Sequence, residues 1–157
     1  NIPYVGFVFI GLIRVGNDPF VIEYNVRMGD PETQVVLPRI KNDLAALLYA
    51  TANQKLAEVD LVHDDQSATT VVAVSGGYPE AYQKGKKIHG LSSKAESTVF
   101  HAGTILDQGN VLTNGGRVLA VTSLGADHTK ALQKSYETLQ DISFEGMYFR
   151  KDIGFDL

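Results

Sequence analysis

The residues best suited to chemistry lie between Ile22 and Gln34, in the run IEYNVRMGDPETQ. A carboxylate, a carboxamide and a guanidinium alternate there as Glu23, Asn25 and Arg27. In a β-strand, residues two apart share a face. A strand over Ile22–Met28 would present Glu23, Asn25 and Arg27 together and turn Ile22, Tyr24 and Val26 to the other side. Such an oxygen pair suits a hard cation like magnesium, which commonly links protein oxygens to substrate phosphates. An arginine beside it suits an anion or a developing phosphoryl charge. The same alternation also describes an ordinary solvated sheet face, and the pattern alone leaves both readings open. Asp30 and Glu32 follow in a Gly-Asp-Pro-Glu turn. There Asp30 suits a helix N-cap, Pro31 the first helical position and Glu32 the first turn.

The other candidates carry less. Arg117 follows Asn114-Gly-Gly116, where exposed amides and a guanidinium fork could take a phosphate. The plainer reading is a hairpin turn and a strand-edge arginine. His101 sits alone in a strand-like run, and His63, His89 and His128 have no metal-ligand spacing. The chain contains neither G-x-x-x-x-G-K-[ST] nor G-x-G-x-x-G.

These residues sit in a chain of 157 residues, 44% hydrophobic and 20% charged, with a net charge of −4 and no cysteine. That is a globular composition. It excludes a disulfide framework, zinc–thiolate sites and a cysteine nucleophile. The only tight basic group is Lys84, Lys86 and Lys87, too little for a nucleic-acid face. The apolar stretch Ile2–Val15 lacks a basic leader, contains Arg14 and is too short to span a bilayer. We therefore expect no membrane partner and a cytoplasmic location. With Asn1 directly ahead of a strand-like run, we expect a piece of a longer protein whose amino-terminal part is a partner of this one.

Tyr4–Val15 and Phe20–Met28 flank Gly16-Asn-Asp-Pro19, a hairpin signal. Gly6 and Gly11 mark a bulge or a close backbone approach. A short helix to about Leu37 breaks at Pro38, and a longer one is expected over Lys41–Leu56, capped by Asn42 or Asp43. Glu58–Ser67 is a polar connector. Beyond it, strands are expected at Ala68–Val74, Ser97–Thr104, Arg117–Leu124 and Met147–Asp152. A hairpin turns on Gln108-Gly109, and a helix capped by Asp127 runs to about Ile142. The fold class is α+β.

The run EYNVRMGDPETQVVLPRIKNDL (Glu23–Leu44) closely resembles the signature segment of the phosphoribosylamine–glycine ligases, ATP-grasp enzymes of purine biosynthesis. The resemblance continues through Ser75–Pro79, Phe100–Thr104, Thr113–Leu119 and Tyr148–Gly154, in order. It implies that residues 1–65 end an ATP-grasp domain and residues 66–157 form a small, mixed, β-rich carboxy-terminal domain. It implies a reaction in which ATP converts glycine to glycyl phosphate and 5-phosphoribosylamine displaces the phosphate. By the same resemblance Glu23 and Asn25 are ligands of Mg2+ (or Mn2+), and Arg27 steadies the acyl phosphate. Asp30 and Glu32 border the substrate, and Arg117 takes the ribose phosphate. Met28, Tyr24 and Val26 depart from the residues common in the family, but on the face away from Glu23 and Asn25. Tyr4–Val15 holds no acid, where relatives often carry another metal carboxylate. The alternatives are another ATP-grasp carboxylate–amine ligase, or a non-catalytic binding module in the isolated piece.

Overall fold

The computed structural model describes residues 2–91 and 96–155 and divides into two compact units, Asn1–Asp64 and Asp65–Leu157. The first begins with the antiparallel pair β1 (Phe9–Val15) and β2 (Asp18–Asn25). Gly11 faces Glu23 but Leu12 faces Val21, so Ile22 is the extra residue of a bulge. From Glu23 to Asn25 the alternation is regular.

The strand stops at Asn25, not at Met28. Phe9–Asn25 is the last pair. Beyond it the Tyr4 hydroxyl lies 2.7 Å from the Val26 carbonyl and 2.9 Å from that of Phe7. A side chain thus occupies the place of the next ladder rung. Ile22, Tyr24 and Val26, expected on the side opposite Glu23, Asn25 and Arg27, are exposed. Two strands cannot bury an apolar face by themselves.

Helix α1 spans only Glu32–Val36 and has Pro31 at its N-cap with no side-chain cap bond, so Asp30 does not cap it. A 3-10 turn, Leu37–Arg39, carries the chain through Pro38. Helix α2 runs from Leu44 to Ala52, shorter than the sequence suggests. Asp43 is its cap and accepts from the Ala46 amide at 2.9 Å. It buries Leu47 and Ala50 but leaves Leu48 exposed, because this unit has little apolar mass to pack against. The unit ends where the Arg39 guanidinium donates to the Asp64 carbonyl (2.9 Å) and Lys41 pairs with the Asp64 carboxylate (3.2 Å).

The second unit is a four-stranded antiparallel sheet covered by one helix. Its strands are β3 (Ser67–Ser75), β4 (Ser97–His101), β7 (Arg117–Gly125) and β8 (Met147–Tyr148), in spatial order β4-β7-β3-β8. A separate hairpin joins β5 (Thr104–Asp107) to β6 (Asn110–Thr113) through Gln108-Gly109. Helix α3 (His128–Asp141) is capped by Asp127, whose carboxylate accepts from the Lys130 amide at 2.7 Å. The core is Val71, Ala73, Val118, Leu119 and Val121 of the sheet with Leu139, Ile142, Phe144 and Ile88 over it. Ala131, Ser135 and Leu139 face inward as the helical spacing requires. The buried hydroxyls form a chain: Thr138 donates to Ser97 (2.8 Å), which lies 2.7 Å from Ser123, itself 2.8 Å from Ser135. A polar seam between helix and sheet is thereby satisfied within the protein. The last strand is shorter than the expected Met147–Asp152. After Tyr148 the chain turns, held by the Tyr136 hydroxyl donating to the Arg150 carbonyl (2.9 Å) and by an Arg150–Asp152 ion pair.

Candidate functional site

In the first unit, Glu23 and Asn25 sit on one face of β2, with Gly11 and Phe9 opposite them on β1. A Cβ added at Gly11 would come within 3.1 Å of the Glu23 Cγ. The glycine therefore leaves a cradle in which the Glu23 side chain lies against the neighbouring strand. Arg27 does not join this face. It lies past the strand end, and its Nη1 donates to the Met28 carbonyl at 3.3 Å. The alternation that grouped three residues thus holds for two, because the third has no strand to stand on.

The Gly-Asp-Pro-Glu turn is organised by side chains. The buried Gly29 lies under the Glu32 carboxylate, which would have to swing aside for any side chain at that position. The Gly29 carbonyl accepts from both the amide (3.0 Å) and the hydroxyl (2.6 Å) of Thr33. The Asp30 carboxylate accepts from the Gln34 side-chain amide at 2.8 Å instead of from a helix amide. Sequence reasoning did not single out Gly11's partner or Gln34. The available signal for Gln34 was its place four residues after Asp30, a spacing that brings side chains together on a helical turn.

One carboxylate and one carboxamide on a common face are hard-oxygen donors of the kind magnesium or manganese takes. The pair and its cradle fit such an ion as part of a coordination shell. Among the described residues no group of three or more His, Cys, Asp and Glu gathers as a metal site. Glu23 and Asn25 would supply two protein ligands of such an ion, and hard cations of this kind commonly fill further positions with substrate oxygens and water.

In the second unit, four separated stretches meet at one end of the sheet. Ser75 donates from its amide to the Gly116 carbonyl (2.8 Å) and from its hydroxyl to the Gly115 carbonyl (2.9 Å). The Asn114 amide donates to Gly103 (2.8 Å), and Val74 pairs with Tyr148. The Tyr78 ring lies over Gly116, and the Arg117 carbonyl crowds Gly103, so neither glycine has room for a Cβ. Tyr78 also meets Tyr82 edge to face, with centroids 6.0 Å apart. Arg117 begins β7 there, half-buried and opposite Val74 at a register shift. His101 is tied through Nδ1 to the Thr104 hydroxyl at 2.9 Å.

Three comparisons bear on this arrangement. Residues 68–156 match the family model described as "Phosphoribosylglycinamide synthetase, C domain". A phosphoribosylamine–glycine ligase from Caldanaerobacter subterraneus subsp. tengcongensis is 43% identical over 98% of this chain and 37% of its own length. The trifunctional purine biosynthetic protein adenosine-3 of Gallus gallus is 46% identical over 99% of this chain and 16% of its own length. The crystal structure of a phosphoribosylamine–glycine ligase from Thermotoga maritima superposes with a TM-score of 0.76 at 33% identity, covering 92% of this chain and 36% of that one. The chain thus spans little more than a third of the single-function relatives it matches. The glycine-crowded sheet end lies inside the stretch the family model matches, and on that ground the chain belongs to the phosphoribosylglycinamide synthetase C-domain family.

Proposed function

We propose that this chain is the carboxy-terminal part of an ATP-dependent ligase, cytoplasmic in location, that joins glycine to 5-phosphoribosylamine in purine biosynthesis. The observation that carries the reading is the Glu23–Asn25 face beside Gly11, in a chain similar over almost its whole length to ligases of that name. A glycine carboxylate oxygen attacks the γ-phosphorus of ATP, and ADP leaves. The phosphoribosylamine nitrogen then attacks the acyl carbon, loses a proton, and expels inorganic phosphate as the amide forms.

Glu23 and Asn25 would hold a magnesium or manganese ion that offsets charge on the nucleotide phosphates. Arg27 carries the charge that steadies the acyl phosphate. Its present bond to a neighbouring carbonyl is at an exposed position and easily exchanged. Asp30 and Glu32 border the substrate, and Arg117 holds the ribose phosphate. The crowding at Gly103 and Gly116 supports that last assignment, since it gives Arg117 a fixed backbone from which to reach. The substrates glycine, 5-phosphoribosylamine and ATP, and the preceding part of the same polypeptide, are the partners this reading requires.

The test is ADP release with magnesium, glycine and freshly generated phosphoribosylamine, comparing this chain with the full-length ligase containing it. Release from the full-length protein only when both substrates are present supports the reading. Release dependent on another acid or amine assigns the chain to a different carboxylate–amine ligase.

A further inference from the structure

We infer that Gln34 is a positioning residue for this reaction, holding the Asp30 carboxylate in the geometry in which it meets substrate. The inference rests on the proposed placement of Asp30 beside the substrate. Its own ground is the local structure of the turn. An aspartate ahead of a helix ordinarily spends its carboxylate on the helix's first amides. Asp30 does not: α1 has no side-chain cap bond, and Pro31 occupies the cap position. The Asp30 carboxylate instead takes the Gln34 side-chain amide at 2.8 Å. Gln34 is half-buried and stands in α1, so its amide is held by the helix rather than by solvent.

The rest of the turn is fixed independently of that bond. Thr33 makes two bonds to the Gly29 carbonyl, and the Glu32 carboxylate lies over Gly29. These contacts hold the turn apart from the Gln34 side chain, and the bond from the Gln34 amide gives the Asp30 carboxylate a set direction. Catalytic geometry is sensitive to small displacements of this kind. A hydrogen bond to a carboxylate also reduces the number of rotamers it samples while preserving its charge.

The experiment is a double-mutant cycle in the full-length ligase, using Gln34→Leu, Asp30→Ala and the pair, with kcat, both KM values and thermal midpoints measured for each. Gln34→Leu is expected to lower kcat/KM about tenfold with little change in thermal midpoint. It is expected to add no further loss to Asp30→Ala. Gln34→Glu, nearly isosteric but without the donor, is expected to lose at least as much as Gln34→Leu. Additive losses in the cycle would overturn the inference, as would a Gln34→Leu enzyme as active as the parent when Asp30→Ala is impaired. In either case the reading of Asp30 stands. An Asp30→Ala enzyme of full activity removes that reading and the inference with it. A lowered thermal midpoint with unchanged activity of the folded fraction would show that Gln34 only staples the turn.

Discussion

At the scale of single residues, the chemistry rests on side chains whose neighbours make room for them. Glu23 is exposed and lies over a glycine, so its removal leaves no cavity and no buried group without a partner. Glu23→Ala in the full-length ligase should therefore lower kcat by roughly a hundredfold or more while stability changes by less than ~0.5 kcal/mol. A variant that melts early but keeps its activity per folded molecule would count against the metal role. Gly11→Val tests the cradle from the other side: it should impair turnover by displacing Glu23, although residue 11 carries no chemistry. Arg117→Ala should raise KM for phosphoribosylamine more than KM for glycine, and equal effects on both would remove the phosphate assignment.

At the scale of elements, the second unit is held by β7, paired with both β3 and β4, and by α3 packed across β7 and β3. The helix presents Ala131, Ser135, Thr138 and Leu139 to the sheet, and its first turn is closed by Asp127. Asp127→Ala should cost about 1 kcal/mol in urea unfolding, the usual price of a lost N-cap. Asp43→Ala, at the cap of the less buried α2, should reduce the stability of the second unit very little, because the two caps lie in different units. The polar contacts of α3 fit the same picture. Ser135 is fully buried and hydrogen-bonded to Ser123, whereas the Gln133–Glu137 pair is exposed. Only the first lies where water does not replace a lost hydrogen bond.

For the molecule as a whole, apolar burial is concentrated in the second unit. Val71, Ala73, Val118, Leu119, Val121 and Leu139 are almost wholly buried there, whereas the first unit buries Leu47 and Ala50 and exposes Ile10, Leu12, Phe20 and Tyr24. A polypeptide of residues 65–157 should unfold cooperatively on heating, and one of residues 1–64 should not. Circular dichroism melts of the two would decide it. The pH dependence has a definite sign. The Lys134 ammonium holds Glu96 below the usual carboxylate range, and the Arg150 guanidinium does the same for Asp152. Carboxylates depressed on folding add stability that is complete above their unfolded pKa and is lost as pH falls through the folded value. Both pairs are exposed, so the effect should be small and should shrink further with salt. Asp152→Asn should flatten the acid side of the stability profile slightly.

The local rules legible in the sequence were those decided by neighbours along the chain. The Gln108-Gly109 hairpin, the Asp127 cap, the inward face of α3 and the shared face of Glu23 and Asn25 follow from turn chemistry and from periods of two and 3.6 residues. The family resemblance was equally available, because it lies in residue identities. What needed tertiary structure was every outcome set by a distant partner. Arg27 lies off the strand face because the pairing of β1 with β2 ends at Phe9 and Asn25, and beyond it the Tyr4 hydroxyl donates to the Val26 carbonyl. Asp30 does not cap because α1 starts at Glu32, which puts Pro31 in the cap position and leaves the Asp30 carboxylate to the Gln34 amide. The stretches around Ser75, Gly103, Gly115 and Tyr148 were visible as separate motifs, but their meeting at one end of the sheet depends on strand order. Periodicity assigns a face to a residue. Only the packed sheet decides where that face ends and what stands opposite it.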